Sequence, residues 1–204
     1  METNDTFKTI ASASEGLFKD KGSKFIAYAY PVKTEDEIKE HIKVLKDQHY
    51  KARHHCYAFR LGKHGDMYRA NDDGEPSGTA GRPIYGQLLS FELTNILVVV
   101  VRYFGGILLG TSGLINAYKT ATSEVLSQAT FIDVIVSDIY QLRFDYTIQS
   151  QVERVIKEFD LNIANAVYEM DCTYEIEVRK SISPMVADKF EKIEGLKLTL
   201  KYEG

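Results

Sequence analysis

Apolar and polar positions alternate along two stretches near the start of the chain, Phe7 to Leu17 and Lys24 to Tyr30. The second sets Phe25, Ala27 and Ala29 on one face and Ile26, Tyr28 and Tyr30 on the other, as a strand requires. Asp20-Lys21-Gly22-Ser23 supplies the turn of a hairpin between them. The period then changes: Ile38, Ile42 and Leu45 recur at helical spacing behind Thr34, a helix-capping residue with Glu37 three positions on. That capping box predicts a helix to about Gln48. Arg53 to Leu61 alternates again, His54, Cys56, Ala58 and Arg60 against Arg53, His55, Tyr57, Phe59 and Leu61. Gly62-Lys63-His64-Gly65 turns it into Asp66 to Ala70, a second hairpin.

Pro83 suits the first turn of a helix reaching about Phe91, because proline has no amide hydrogen to lose there. Ile96 to Val101 carries no polar residue on either face, which predicts a central strand covered on both sides. Leu114, Ala117, Ala121, Val125 and Ala129 mark the longest helix, 114–129. Ser137-Asp138 reads as a boundary. Beyond it come a strand (Ile139 to Tyr146), a helix (Ile148 to Phe159), two strands (Asn162 to Met170, Cys172 to Arg179), a helix (Ser183 to Ile193) and a closing strand (Leu196 to Tyr202). This β-α-β-β-α-β order is the ferredoxin-like split βαβ plan. The predicted class is α+β, with domains at 1–137 and 138–204.

Composition narrows the function classes. The chain has 204 residues, 44% hydrophobic and 26% charged, ordinary for a soluble protein of one large or two small domains. Its longest apolar run, Ile96 to Val101, is strand-sized and far short of the roughly 20 residues of a membrane-spanning helix. Met1-Glu2-Thr3-Asn4-Asp5 is polar and acidic, unlike a secretory signal, so a cytoplasmic location is expected. Cys56 and Cys172 lie far apart in no metal-binding pattern and read as buried free thiols. Residues 1–137 carry 16 basic and 16 acidic side chains, whereas 138–204 carry 9 and 13, so the net charge of -4 belongs to the C-terminal third.

Two stretches concentrate the unusual chemistry: Asp72-Asp73-Gly74-Glu75-Pro76-Ser77-Gly78-Thr79-Ala80-Gly81-Arg82-Pro83, and Val98 to Leu114, which contains Arg102-Tyr103-Phe104-Gly105-Gly106 and Gly110-Thr111-Ser112-Gly113. Together they hold seven of the fourteen glycines and read as facing walls of one site. A glycine-rich turn between a strand and a helix offers outward amides to an anion. Its spacing matches neither the dinucleotide fingerprint nor the P-loop; tight loop packing is the alternative. Arg82 and Arg102 can pair with phosphate there, or with the neighbouring acids. Asp72, Asp73 and Glu75 offer oxygen ligands for a hard cation or a general base, or simply bond the turn backbone. His54 and Cys56 share a strand face as a metal pair or Cys-His nucleophile would, but no remaining ligands stand at readable spacing. Between Lys51 and Arg69 lie five basic residues, Arg53 and Arg60 among them, and one acid, with Tyr50, Tyr57, Phe59 and Tyr68 near or between them. Such a surface can stack on and neutralise RNA, or stand solvated without a partner.

Three segments closely resemble the YigZ/IMPACT family (UPF0029): Ala52-Arg53-His54-His55-Cys56-Tyr57-Ala58-Phe59-Arg60, the acidic glycine stretch 72–83, and Val99 to Leu114, with Lys21-Gly22-Ser23-Lys24-Phe25-Ile26 fitting the opening. The resemblance covers about residues 20–120. It implies an N-terminal ribosomal-protein S5 domain 2-like fold followed by a ferredoxin-like domain, an arrangement similar to the last two domains of elongation factor G. Eukaryotic relatives restrain the kinase pathway that senses amino-acid starvation, through a partner-binding N-terminal domain that this sequence is expected to lack. The family implies no generally accepted catalytic residues. The resulting expectation is a noncatalytic, translation-linked protein without metal or cofactor. It would bind RNA or a ribosomal surface through Arg82, Arg102, Gly105, Gly106, Gly110, Thr111, Ser112, Gly113, Lys51, Arg53 and Arg60. Its alternatives are a phosphate- or nucleotide-binding enzyme using the glycine-rich loops, and a protein-interaction module docking through the acidic C-terminal domain.

Overall fold

The computed structural model describes residues 5–202, so most of the acidic stretch at the N-terminus lies outside the described residues. Two compact units divide the described chain: residues 7–134, and residues 135–202 together with Asp5 and Thr6.

The first unit is built on a five-stranded antiparallel sheet. Strands β2 (Ser14–Asp20), β3 (Ser23–Pro31), β4 (His54–Leu61), β5 (Met67–Asn71) and β6 (Ile96–Tyr103) lie in the order β2-β3-β6-β4-β5. β6 is central, and Ile96 to Val101 are each 0% exposed, because both faces of the sheet are covered. On one face Phe25, Ala27, Cys56, Ala58, Val98 and Val100 pack under the helices α2 (Gly81–Ser90) and α3 (Gly110–Gln128). On the other, Tyr28, Phe59, Leu97, Val99 and Val101 meet Ile38 and Leu45 of α1 (Glu35–Gln48). The predicted capping box forms: the Thr34 hydroxyl accepts from Glu37 N at 3.2 Å, and the Glu37 carboxylate accepts from Lys33 N at 2.7 Å. That second bond reaches one residue before the cap, a small departure from the reciprocal pattern.

Two expectations change. Phe7 to Leu17 is not one strand: it breaks between β1 (Thr6–Ile10) and β2, and β1 pairs with β7 (Phe131–Ile135), a strand the periodicity did not mark. The break is held by Ala11 N donating to Thr130 O at 2.9 Å and the Ser14 hydroxyl donating to Val125 O at 3.3 Å. Alternation continues through Ala11, Ser12 and Ala13, so only partners far along the chain interrupt it. The helix α3 begins earlier than predicted, at Gly110, which moves Gly110 to Gly113 into its first turn, whereas α2 begins at Gly81 and keeps Pro83 in its first turn as expected.

In the second unit, β8 (Ser137–Phe144), α4 (Gln149–Glu158), β9 (Asn162–Tyr168), β10 (Cys172–Arg179), α5 (Ser183–Glu191) and β11 (Lys197–Tyr202) follow in the predicted βαββαβ sequence. The antiparallel sheet runs β11-β8-β10-β9. Leu142, Tyr174, Ile176 and Val178 pack against Val152 and Ile156 of α4 and Val186 and Phe190 of α5. Asp5 joins this unit through Arg179, whose Nε and Nη2 donate to its two carboxylate oxygens at 2.6 and 2.8 Å. That guanidinium holds the Asp5 carboxyl well below the usual range. No helix among the described residues is long and apolar enough to cross a membrane.

Candidate functional site

The site lies at one end of the central strand, where an apolar face turns polar. In the antiparallel register Arg102 of β6 stands between Phe25 of β3 and His54 of β4. The same face carries Val100 and Cys56 one pair further in, so Arg102 is the point at which the core gives way to charge. A cleft of about 420 Å³ opens there, lined by Arg53, His54, Glu75, Pro76, Arg102, Phe104, Leu108, Leu109, Gly110, Thr111 and Leu114. The two glycine-rich stretches therefore do face each other, as read from the sequence.

At its floor Arg102 Nη1 donates to Glu75 Oε1 at 2.7 Å, and the Tyr118 hydroxyl donates to the same oxygen at 2.8 Å. The side chains of Arg102 and Glu75 are only 7% and 3% exposed, so this is a buried ion pair. The Arg102 guanidinium also sits between two aromatic rings, 5.5 Å from the Phe25 centroid and 5.7 Å from that of Phe104. The single proton of the Cys56 thiol is shared between Asp72 O at 3.0 Å and the Tyr118 hydroxyl oxygen at 3.3 Å. Burial pushes the Cys56 thiol and the Tyr118 phenol far above their ordinary values, leaving both protonated and unsuited to nucleophilic chemistry.

The three acids do different work. Asp72 reaches across to α2, accepting from Ala80 N at 3.0 Å and Gly81 N at 2.8 Å through Oδ1, and from Gly78 N at 2.8 Å through Oδ2. It thus supplies the cap that Ala80, the residue before α2, does not. Asp73 accepts from His55 N at 2.7 Å and meets Lys46 Nζ at 3.4 Å, while its carbonyl accepts from His54 Nδ1 at 2.9 Å. A carbonyl can only accept, so His54 carries its proton on Nδ1 there and keeps Nε2 as its other nitrogen. Glu75 belongs to Arg102. Among the described residues no three His, Cys, Asp or Glu side chains gather where they could hold a metal ion.

Burial pushes the Asp72 carboxyl upward, but its three amide donors outweigh that and hold it below the ordinary carboxylate value. Asp72→Ala is expected to lower the unfolding free energy by about 1–2 kcal/mol at neutral pH. A folded-state pKa below the unfolded one gives stability that is full above the unfolded value and lost as pH falls through the folded one. Urea titrations of wild type and Asp72→Ala should therefore converge as pH falls below about 4. A gap that stays constant from about pH 7 to about pH 3 would mean the carboxylate charge plays no part in the cap.

The remaining residues singled out from sequence spread around this cleft. Arg53 is exposed on its wall, and Gly110 and Thr111 form its edge at the start of α3. Ser112 is exposed and Gly113 half-buried in the same turn. Gly105 and Gly106 form the exposed loop between β6 and α3, and Gly105 N donates to the Ser23 hydroxyl at 3.2 Å. Arg82 is exposed on α2, outside the cleft lining. Lys51 is exposed with its ammonium 5.5 Å from the Tyr50 ring. Arg60 is turned inward, donating to Leu93 O at 2.8 Å and His64 O at 3.1 Å. Sequence reasoning assigned no role to Phe104, although strand alternation puts it on the same side as Arg102, two residues earlier. Phe104 and Leu108 are 55% and 83% exposed and form an apolar rim. Tyr118 was likewise missed, since a tyrosine beside Ala117 on a helical apolar face reads as core.

An antiparallel α+β unit ending in a cleft of buried ion pair, glycine-rich loop and helix start defines the class of protein. The family model of the Impact N-terminal domain matches residues 21–126. IMPACT family member YvyE of Bacillus subtilis is 35% identical over 175 residues, 86% of this chain and 81% of that protein. IMPACT family member YigZ of Escherichia coli is 36% identical over 151 residues, 73% and 74% of the two chains. The crystal structure of a hypothetical protein, 28% identical, superposes with a TM-score of 0.69 over 98% of this chain and 99% of the other. The chain belongs to the IMPACT family.

Proposed function

We propose that this chain is a noncatalytic, translation-linked regulatory protein that binds RNA on a ribosomal surface through the cleft face of its first unit. Of the two units, we assign the first to the S5 domain 2-like fold and the second, from its β11-β8-β10-β9 order, to the ferredoxin-like fold. The observation that carries the reading is the convergence of both glycine-rich stretches on one cleft, with the exposed Arg53 and the half-exposed Phe104 on its walls. A cation beside an aromatic ring is what single-stranded RNA engages by phosphate pairing and base stacking. The protonated Cys56 and Tyr118, and a Glu75 committed to Arg102, favour binding over group transfer. Family membership supports the link to translation.

Arg102 is a poor probe of this surface, because its removal would strand Glu75 in the interior. Arg53 and Arg82 are exposed and can be reversed without that cost. In co-sedimentation with ribosomes, the wild type is expected to pellet at low salt and release as salt rises. The double variant Arg53→Glu, Arg82→Glu should bind more weakly, with a salt slope smaller by about 2. Wild-type protein remaining in the supernatant at both low and moderate salt would defeat the proposal.

A further inference from the structure

The cleft holds more than a flat cationic surface needs. Arg102 lines it with a side chain 7% exposed, yet its Nε has no hydrogen-bond partner. A donor of a buried guanidinium left unpaired is costly, and buried polar groups of this kind are normally satisfied. On the same lining, Gly110 and Thr111 open α3, and the residue before the helix, Leu109, makes no side-chain capping bond. The first-turn amides of that helix therefore look for an acceptor outside the helix, and its dipole favours a negative one. Phe104 covers Arg102 with its ring 5.7 Å from the guanidinium and remains 55% exposed, so aromatic surface is left open. Arg53 and His54 stand on the same cleft, with His54 Nδ1 already committed to the Asp73 carbonyl.

We infer that this cleft seats one nucleotide unit: its phosphate at the first turn of α3 and Arg53, its base on Phe104, and the polar edge of the base toward Arg102 and His54. The phosphate belongs at Arg53 and α3 rather than at Arg102, because Glu75 already neutralises Arg102 and would repel an anion. The volume of about 420 Å³ falls within the range of small-ligand sites. A residue of single-stranded RNA and a free nucleotide present the same base, ribose and phosphate; the first source rests on the RNA reading above, and the second does not.

The test uses the full chain, titrated calorimetrically with the four nucleoside 5′-monophosphates, ribose 5-phosphate and inorganic phosphate. In parallel, a labelled single-stranded RNA is followed by anisotropy with each monophosphate as competitor. Two variants accompany the wild type: Phe104→Ala, at a half-exposed ring, and Thr111→Asp, which adds an acid where a helix start tolerates one. At least one monophosphate should bind one to one. Phe104→Ala should weaken it about tenfold while leaving inorganic phosphate unchanged. Thr111→Asp should weaken every phosphate ligand. Displacement of the RNA by the monophosphate identifies RNA as the source. Monophosphate binding without RNA binding identifies a free nucleotide and overturns the RNA reading alone. RNA binding that neither monophosphate nor Phe104→Ala disturbs overturns the cleft seat and leaves the RNA reading standing. Binding of no monophosphate and no RNA overturns both.

Discussion

Glu75→Ala is expected to lower the unfolding free energy by about 3–5 kcal/mol, the usual cost of breaking a buried ion pair from one side. Glu75 Oε1 accepts from Arg102 Nη1 at 2.7 Å and from the Tyr118 hydroxyl at 2.8 Å, so one truncation strands a guanidinium and a phenol together. Arg102 cannot escape to water. Its side chain is 7% exposed, and Phe25 and Phe104 lie over it at 5.5 and 5.7 Å. Arg102→Ala should cost a similar amount by leaving Glu75 charged and unpaired. The double variant Glu75→Met, Arg102→Met removes both charges at roughly constant volume and should regain more than half of the loss, because the desolvation penalty goes with them. Urea unfolding at constant slope reads all four proteins. A Glu75→Ala protein within about 1 kcal/mol of wild type would show that water reaches the pair and that its burial is not energetically felt.

Gly105→Ala should cost about 3 kcal/mol, from steric overlap rather than backbone preference. A Cβ at Gly105 would overlap the carbonyl carbon of Gly22 and the amide nitrogen of Ser23. Those atoms are backbone, in the turn between β2 and β3, and Gly22 itself holds a φ of +80°. No side-chain rotation can relieve the clash, so the hairpin turn and the loop after β6 must separate. Gly106 provides the control. Its φ is +89° but a Cβ there meets nothing within 4 Å, so Gly106→Ala should cost only about 1–2 kcal/mol in conformational strain. Thermal melts should rank Gly105→Ala below Gly106→Ala. Equal losses, or the reverse order, would refute the close approach as the reason for glycine at 105.

This contrast also bears on why part of the site could be read in advance. A glycine-rich stretch announces unusual backbone, but not whether a left-handed φ, a backbone contact or a ligand requires it. Gly105 proves to be a backbone contact and Gly106 a left-handed residue, though the two stand side by side in sequence. The acids behaved likewise. Asp72, Asp73 and Glu75 looked like one cluster, yet they serve the start of α2, the backbone of β4 and Arg102 respectively. Arg60 stood in the basic hairpin by count and spends its guanidinium on two carbonyls. Lys51, Arg53 and Arg69 of that stretch remain exposed.

What the sequence determined by itself was local: strand and helix periods, the Thr34 cap, both early hairpins, the all-apolar central strand and the βαββαβ order of the second unit. These depend on backbone geometry and on which side chains share a face, both set by spacing along a few residues. Tertiary structure alone decided that β1 pairs with β7, that Asp72 caps a helix it does not belong to, and that Arg102 meets Glu75 under Phe104. Each of those depends on register between distant segments, and a charge is free, paired or buried only according to what the register places opposite it.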